Sequence, residues 1–258
     1  MDASATLFDW QAGELVVRDD CDVTPSTLDV ADSFLVVEGA ALAVGLHRRR
    51  FADSARDQGF SGELDVFWDA ALASIPRTGS WFPRFELVTV RGRQALRFRL
   101  RSAPELSDAV VVATAATDPR RTPRIKGPDI EQLSVLRQRA QQVGAGEAVI
   151  LDGGRVSDGA TTALLWWRGD TLFAPPLSFA RVDSVAARAV RGIAAALGVP
   201  VDEEAVAPSE LEACVVWAVN ALHGIREVTS WVDGPTVGRD SRRTAAWRNR
   251  FAALARSL

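Results

Sequence analysis

A lysine-bearing loop, a helix and two strands are predicted in one short stretch that decides the fold. Residues 125–159 read IKGPDIEQLSVLRQRAQQVGAGEAVILDGGRVSDG. After Pro128 the apolar residues recur at helical spacing, and a glycine is placed to end that helix. Residues 147–151 then read as a strand, followed by a glycine-pair turn and a second strand. The stretch therefore predicts that Lys126 lies in a loop before a helix that starts near Pro128.

Lys126 is the only lysine of the chain. The sequence has 30 lysine and arginine residues, and 29 of them are arginine. Only lysine can lose its proton and act as an amine nucleophile in Schiff-base chemistry. An arginine-biased genome explains why lysines are scarce, but it does not explain why one remains ahead of a helix. Lys126 is therefore a candidate nucleophile, with a lysine of no special function as the alternative.

The flanking sequence predicts a mixed α and β chain in two parts. Strands are expected at residues 14–18, 33–38, 81–90, 94–101, 109–115, 215–219 and 227–232. Helices are expected at residues 40–59, 64–74, 185–197, 209–214 and 242–255. In the strand at 94–101, arginines alternate with apolar residues, which predicts one buried face and one solvated face. The polar, proline-containing segment 117–123 is the predicted boundary between two domains.

The composition excludes several classes of protein. At 258 residues and 47% hydrophobic content, the chain can bury a sizeable core. A formal net charge of -3 argues against nucleic acid as the main partner. The apolar runs are far shorter than the roughly 20 residues that span a bilayer, and the first residues lack the pattern of a signal peptide. Two cysteines and two histidines are too few for a disulfide framework or a histidine-rich metal site. We expect a cytoplasmic protein without a membrane or metal role.

Four further features could carry chemistry. Asp158 stands between a strand and a turn glycine, where a carboxylate more often caps the turn. Arg50, within HRRRF at residues 47–51, and Arg84 are each typical of surface ion pairs when taken alone. The helix that starts at residues 184–186 offers free backbone N–H groups to an anion, although every helix has such an end.

The order of these segments resembles that of the fold-type IV enzymes, which use pyridoxal 5′-phosphate. That family comprises the class IV aminotransferases and the 4-amino-4-deoxychorismate lyases. The segments that carry the resemblance are His47–Phe51, Lys126–Asp129, Gly146–Gly159, Ala174–Pro176, Ser184–Ala186, Gly198–Val201 and Val219–Val228. The six pieces from Lys126 onward, in the correct order, make a strong signal, although a shared fold does not settle the reaction.

The resemblance implies a role for each candidate. Lys126 would form the Schiff base with the cofactor and later move a proton at the substrate α-carbon. Asp158 stands where the family has a glutamate that keeps the pyridine nitrogen protonated. Arg50 would bind the cofactor phosphate. Further cofactor contacts are implied for Ser184, Val185, Ala186, Val219 and Asn220. Candidates for the substrate pocket are Arg84, Trp166 and Trp217.

The sequence also departs from the family pattern. It contains no tyrosine, and Glu131 stands where branched-chain aminotransferases have the tyrosine that contacts the cofactor. Ala163 replaces the asparagine that follows the acidic turn. The family's F-E-T reads Phe34-Leu35-Val36, so the threonine that the lyases use is missing. These changes weaken the assignment of a named substrate and leave the lysine and the phosphate contacts in place.

Three functions stay open under this resemblance. The first is an aminotransferase that moves an amino group between an amino acid and a 2-oxo acid through Lys126. The second is a 4-amino-4-deoxychorismate lyase, and the third is a homologue that binds the cofactor with little catalysis. In architecture we expect an α+β (α/β two-domain) chain with a small domain at 1–116, a linker at 117–121 and a larger domain at 122–258. The family pattern places the cofactor between the domains, in a homodimer.

Overall fold

The computed structural model describes residues 5–18 and 24–258, so Cys21 lies outside the described residues. The helices are α1 (Val44–Asp57), α2 (Leu64–Ser74), α3 (Ile130–Gln142), α4 (Val185–Leu197) and α5 (Ser241–Ala252), with a short 3-10 helix at Pro208–Leu211. The strands, in chain order, are β1 (Thr6–Gln11), β2 (Glu14–Val17), β3 (Ser26–Ser33), β4 (Val36–Val37), β5 (Ala40–Ala41), β6 (Ser80–Trp81), β7 (Arg84–Val90), β8 (Arg93–Leu100), β9 (Ala109–Thr114), β10 (Glu147–Asp152), β11 (Arg155–Gly159), β12 (Ala163–Arg168), β13 (Thr171–Ala174), β14 (Val201–Glu203), β15 (Val215–Asn220), β16 (Gly224–Val232) and β17 (Arg256–Ser257). The mixed α and β class is confirmed.

The chain divides into two compact units, each built from more than one segment. The first unit holds the described residues as far as Glu105, together with Ile125–Pro128 and Ala255–Leu258. The second unit holds Leu106–Arg124 and Asp129–Leu254. This division differs from the predicted boundary at 117–121, because β9 hydrogen-bonds to β10 and β16 of the second unit.

The first unit is built on an antiparallel sheet in the order β2-β1-β8-β7-β3. A second, small sheet has the order β17-β5-β4-β6, so the end of the chain pairs with residues near its start. Aromatic side chains fill the core, where the rings of Trp68 and Phe85 stack at 3.8 Å between centroids. Large, fully buried aromatic residues are costly to truncate, so this cluster stabilises the sheet and its helices together.

The second unit contains a mixed sheet in the order β11-β10-β9-β16-β15-β12-β13-β14. Two parallel pairs, β9 with β10 and β13 with β14, are each joined through a helix, α3 and α4 respectively. A parallel pair needs such a crossover, whereas antiparallel neighbours such as β10 and β11 are joined by tight turns. In a cluster of three tryptophans the ring centroids are 5.3 to 5.5 Å apart, and Trp167 packs edge to face against both Trp217 and Trp247.

Several boundaries differ from the predictions for local physical reasons. The helix expected from residue 40 begins at Val44, because Ala40 and Ala41 hydrogen-bond as β5 to β4 and β17. The helix expected near Pro128 begins at Ile130. The helix expected at 209–214 is only the 3-10 turn at 208–211. By contrast, the helix predicted at 185–197 is confirmed at both ends as α4.

The arginine face of β8 is the clearest correction to the sequence reading. Arg97 was expected to be solvated, but it is buried and its guanidinium donates to Asp9 Oδ1 across 2.8 Å. Arg99 donates to Glu86 of β7 across 3.1 Å. The neighbouring strands β1 and β7 therefore supply carboxylates to the arginines of β8, and Arg97 is buried while Arg99 stays partly exposed.

Candidate active site

The loop that carries Lys126 is fixed to the end of β3. The amide of Ala31 donates to the carbonyl of Lys126 across 2.6 Å. Gly127 follows with a φ of 144°, and a Cβ at that position would come within 2.7 Å of the Val30 Cα and the Ala31 N. Only glycine fits so close to another backbone, so Gly127 allows the loop that carries Lys126 to pack directly against β3.

A buried carboxylate that the sequence reading had not singled out organises the neighbourhood of Lys126. Asp32 is fully buried, and its oxygens accept from Arg50 Nε at 2.8 Å and Arg50 Nη2 at 2.9 Å. His47 Nδ1 lies 2.7 Å from the same carboxylate. Burial by itself would raise the pKa of Asp32, but Arg50 and His47 lower it well below its ordinary value. The helical spacing of His47 and Arg50 on α1 thus serves to bind Asp32.

The amine of Lys126 lies in a cationic environment. Burial, followed by Arg50, lowers the pKa of Lys126 to about 8, against the opposing effect of Asp32. Arg84 and Arg101 lower it further. A lysine with a lowered pKa carries a larger fraction of neutral amine near neutral pH, which is the form that attacks a carbonyl carbon.

Arg84 lies at the edge of this cationic group and is held by a neighbour on its own strand. Its Nε donates to Glu86 Oε1 across 2.6 Å, and Arg99 shares that oxygen. Arg101 donates to the carbonyl of Phe82 across 2.8 Å and lies over the Phe82 ring. Burial, together with Arg84 and Arg99, lowers the pKa of Arg101 to about 10. Arg84 and Arg99 thus share one carboxylate, and Arg101 adds a third cation beside them, which leaves net positive charge for an anionic ligand.

In the second unit, Asp158 is a buried carboxyl on β11. It pairs with Ile150 of β10 and is 7% exposed. Arg120 Nη1 donates to Asp158 Oδ2 across 3.1 Å. Burial raises the pKa of Asp158 to about 7, although Arg120 and Arg181 oppose that rise. The Gly159 backbone also hydrogen-bonds to this carboxyl, as the turn-capping alternative predicts, but the ion pair with Arg120 goes beyond a turn cap.

The loop after Asp158 is held in place by hydrogen bonds to a second buried carboxylate, that of Glu147. Glu147 Oε1 accepts from the amide of Thr161 across 3.2 Å, and the Thr161 hydroxyl donates to Glu147 Oε2. Asn220 Nδ2 donates to the Thr161 carbonyl across 3.3 Å. The Asn220 Oδ1 accepts from the amides of Leu222 and His223. Asn220, predicted as a cofactor contact, therefore already orders a turn and this loop.

The start of α4 is a capped helix end beside a cavity. The hydroxyl of Ser184 accepts from the Ala187 amide across 3.2 Å, while Val185 and Ala186 are buried. The cavity is lined in part by Arg181 and Ser184. Arg181 Nε is buried and has no hydrogen-bond partner among the described residues, although Nη2 donates to a backbone carbonyl. An unsatisfied guanidinium donor is costly and suits an anion or another acceptor.

The two tryptophans predicted for the substrate pocket, Trp166 and Trp217, do not line the cavity beside α4. Trp166 and Trp217 are both fully buried in the apolar core of the second unit. The Trp166 indole donates to Glu204, and the Trp217 indole donates to the hydroxyl of Thr244. With no exposed surface and both N–H groups satisfied, they stabilise the core. Val219, also fully buried, is a core residue whose side chain offers no surface to a ligand.

The described residues hold no cluster of three or more histidine, cysteine, aspartate or glutamate side chains that could bind a metal ion. Over the same part of the chain, no helix has the length and apolar content needed to cross a membrane.

Comparison with known proteins gives a consistent result. The family model of class IV aminotransferases matches residues 29–231. A fold IV transaminase from Curtobacterium pusillum superposes with a TM-score of 0.81 at 19% identity, covering 96% of this chain and 97% of the other. The branched-chain amino acid aminotransferase from Escherichia coli gives 0.79 at 19% identity, covering 98% and 94%. The PLP-bound form of a hypothetical aminotransferase from Mycobacterium tuberculosis gives 0.77 at 17% identity, covering 97% and 98%. No curated protein sequence matches significantly.

At these identities the structural likeness concerns the fold, and it confirms the predicted fold type IV. The family model adds an independent match, which runs from β3 to β16 and covers most of the chain. The chain therefore belongs to the class IV aminotransferase family of enzymes.

Proposed function

We propose that this protein is an aminotransferase that uses pyridoxal 5′-phosphate, binds it covalently through Lys126, and moves an amino group between an amino acid and a 2-oxo acid. The observation that carries the proposal is the Lys126 amine, the only lysine amine of the chain, with a pKa lowered to about 8 beside three arginines. An amine in that state is suited to attack an aldehyde.

The residues present fit the cofactor by their chemistry. Lys126 supplies the amine for the aldehyde, and Asp158 supplies a carboxyl for the pyridine nitrogen. Arg50 supplies a guanidinium for the phosphate, and its pairing with Asp32 fixes the direction of that group. The unpartnered Nε of Arg181 is a further donor for an acceptor-rich ligand.

Each residue then has a role that its position supports. When bound, pyridoxal phosphate supplies an electron-withdrawing ring that makes the proton on the substrate α-carbon removable. Lys126, with its lowered pKa, takes up and returns that proton. Asp158 holds a proton at the pyridine nitrogen, and Arg84 binds a carboxylate of the amino acid or oxo acid. Aspartate is one methylene shorter than the family's glutamate, so Asp158 reaches less far from β11.

Reduction with borohydride tests the covalent link. The purified protein is mixed with pyridoxal phosphate, reduced, and mapped by peptide mass. We expect the cofactor to be fixed on the peptide that contains Lys126, and visible absorbance to disappear on reduction. Lys126→Arg is the matched control, since it keeps the positive charge and cannot form the bond. A protein that stays colourless and unlabelled with excess cofactor contradicts the proposal.

The reaction itself is tested with a panel of substrates. Transfer of an amino group from a D- or L-amino acid to an oxo acid supports the aminotransferase. Release of pyruvate from aminodeoxychorismate would instead identify the lyase, which the replacement of threonine by Val36 disfavours. Labelling of Lys126 without any turnover would identify the homologue with little catalysis, which the changes at Asp158 and Ala163 favour.

Assembly and location complete the proposal. A homodimer follows from the family resemblance and is checked by light scattering of the purified protein. Residence in the cytoplasm is supported by the low cysteine content of the chain.

A further inference from the structure

One arginine in the second unit contacts two carboxylates at once. Arg120 is the centre of this group, and its side chain is 3% exposed. Its Nε and Nη2 donate to the two oxygens of Asp118, each across 2.9 Å. Its Nη1 donates to Asp158 Oδ2 across 3.1 Å. A guanidinium has five N–H donors in a rigid plane, so it can bind one carboxylate with a fork and still reach a second.

Asp118 is bound to Arg120 by local chain geometry. The two residues are two positions apart, and the Arg120 amide also donates to Asp118 Oδ1 across 3.0 Å. Such a turn forms without long-range contacts. Asp118 therefore orients the guanidinium and, as a negative charge beside it, weakens the field that Asp158 receives.

Other charged groups also act on this pair. Arg181 lowers the pKa of Asp158, whereas Glu147 raises it. Asp129 adds a further negative charge near Arg120. Among these groups, Arg120 alone hydrogen-bonds to the Asp158 carboxylate through its side chain. Its effect on the pKa of Asp158 accordingly exceeds that of Arg181.

We propose that Arg120 is a positioning residue that favours the ionised form of the Asp158 carboxyl and holds the group in place for the pyridine nitrogen of the cofactor, and that Asp118 limits how strongly it does so. The proposal rests on the proposed function for its use of Asp158. A buried carboxyl with no cation beside it would be neutral near pH 7 and could not keep a proton on a ring nitrogen.

The test measures Asp158 directly, in protein without cofactor. Carbon-13 labelled aspartate is titrated by NMR, with Asp158→Asn used to assign the signal. In Arg120→Met we expect the pKa of Asp158 to rise by about 1 or more, because a paired cation is lost. In Asp118→Asn we expect it to fall, because Arg120 is no longer shared. In Arg120→Lys the pKa of Asp158 should lie between those in wild type and in Arg120→Met, since a positive charge is retained.

The opposite signs expected for Arg120→Met and Asp118→Asn separate this role from general destabilisation. An unchanged pKa in Arg120→Met would overturn the proposal. A rise in Asp118→Asn would overturn the role of Asp118, because it would show that the residue only anchors Arg120. If Arg120→Met does not fold, the Asp118→Asn and Arg120→Lys variants still decide between these results.

Cofactor affinity gives a second readout that distinguishes this proposal from the proposed function. We expect Arg120→Met to bind pyridoxal phosphate at least about 10-fold more weakly. Mutating a residue that orients a metal ligand has an effect of that size on metal affinity, and Arg120 orients Asp158 in the same way. Equal affinity in Arg120→Met and in the wild type would count against the role of Arg120. If wild-type protein fails to bind the cofactor at all, the proposed function fails, while the NMR result still tests the ionisation of Asp158.

Discussion

At the scale of single residues, Asp158 combines burial with incomplete charge pairing. Its folded pKa of about 7 lies above its ordinary value of 3.8, so between these pH values the folded protein binds more protons than the unfolded chain. The stability contributed by Asp158 is therefore fully present below about pH 4 and is lost as the pH rises through about 7.

Replacement of Asp158 by asparagine should remove this pH dependence. We expect Asp158→Asn to gain about 1–3 kcal/mol in free energy of unfolding relative to wild type between pH 5 and pH 8. Urea unfolding of cofactor-free protein at both pH values measures the change. Asp152→Asn, an exposed carboxylate on the neighbouring strand β10, is the matched control. A gain of the same size at both pH values would show that the ionisation of Asp158 is not responsible.

At the scale of elements, the packing of the 125–128 loop on β3 determines where the amine of Lys126 lies. The loop has no regular secondary structure, and its position depends on the hydrogen bond from Ala31 and on the close approach at Gly127. The strand and the loop are distant in sequence but form one support for the lysine. The same strand carries Asp32, which fixes Arg50 of α1.

Gly127→Ala should therefore be more harmful than an ordinary glycine substitution. We expect a loss of at least about 2 kcal/mol in the free energy of unfolding, because the new methyl group meets the backbone of β3. Gly13→Ala is the matched control, since Gly13 also has a positive φ but has open space where the Cβ would lie. Denaturant unfolding compares the two, and equal losses would show that backbone conformation alone matters. Reduced borohydride labelling of Lys126 should accompany the loss in Gly127→Ala.

At the scale of the whole molecule, the composition makes covalent labelling unusually simple. Lysine side chains and the N-terminus are the amines of a protein, and Lys126 is the only lysine here. Amine acylation of the purified chain, followed by intact mass measurement, should add one group at the N-terminus and a second at Lys126.

Prior reduction with pyridoxal phosphate should block the second addition, because Lys126 is then alkylated. The Lys126→Arg variant should accept one group under all conditions. Persistence of the second addition after reduction would mean that the cofactor does not react at Lys126.

Some features of this protein follow from local sequence. Apolar periodicity and glycine stops are local signals, and they predicted α4 at both ends and Lys126 in a loop ahead of a helix. The order of short motifs predicted the family and the fold type. These features depend on residues close together in the sequence, where secondary-structure propensity and side-chain spacing determine the local structure.

Other features were decided only by the tertiary structure. Asp32, Arg101 and Arg120 gave no signal in the sequence, because their partners or burial come from other segments of the chain. Trp166 and Trp217 were expected to face the substrate, yet the sheet of the second unit buries them completely. Burial and ion pairing depend on which strands become neighbours, and periodicity cannot distinguish an arginine in water from one beside a distant carboxylate. The sequence alone thus determined the family and singled out Lys126 as the candidate nucleophile, while long-range packing determined the charges around that lysine.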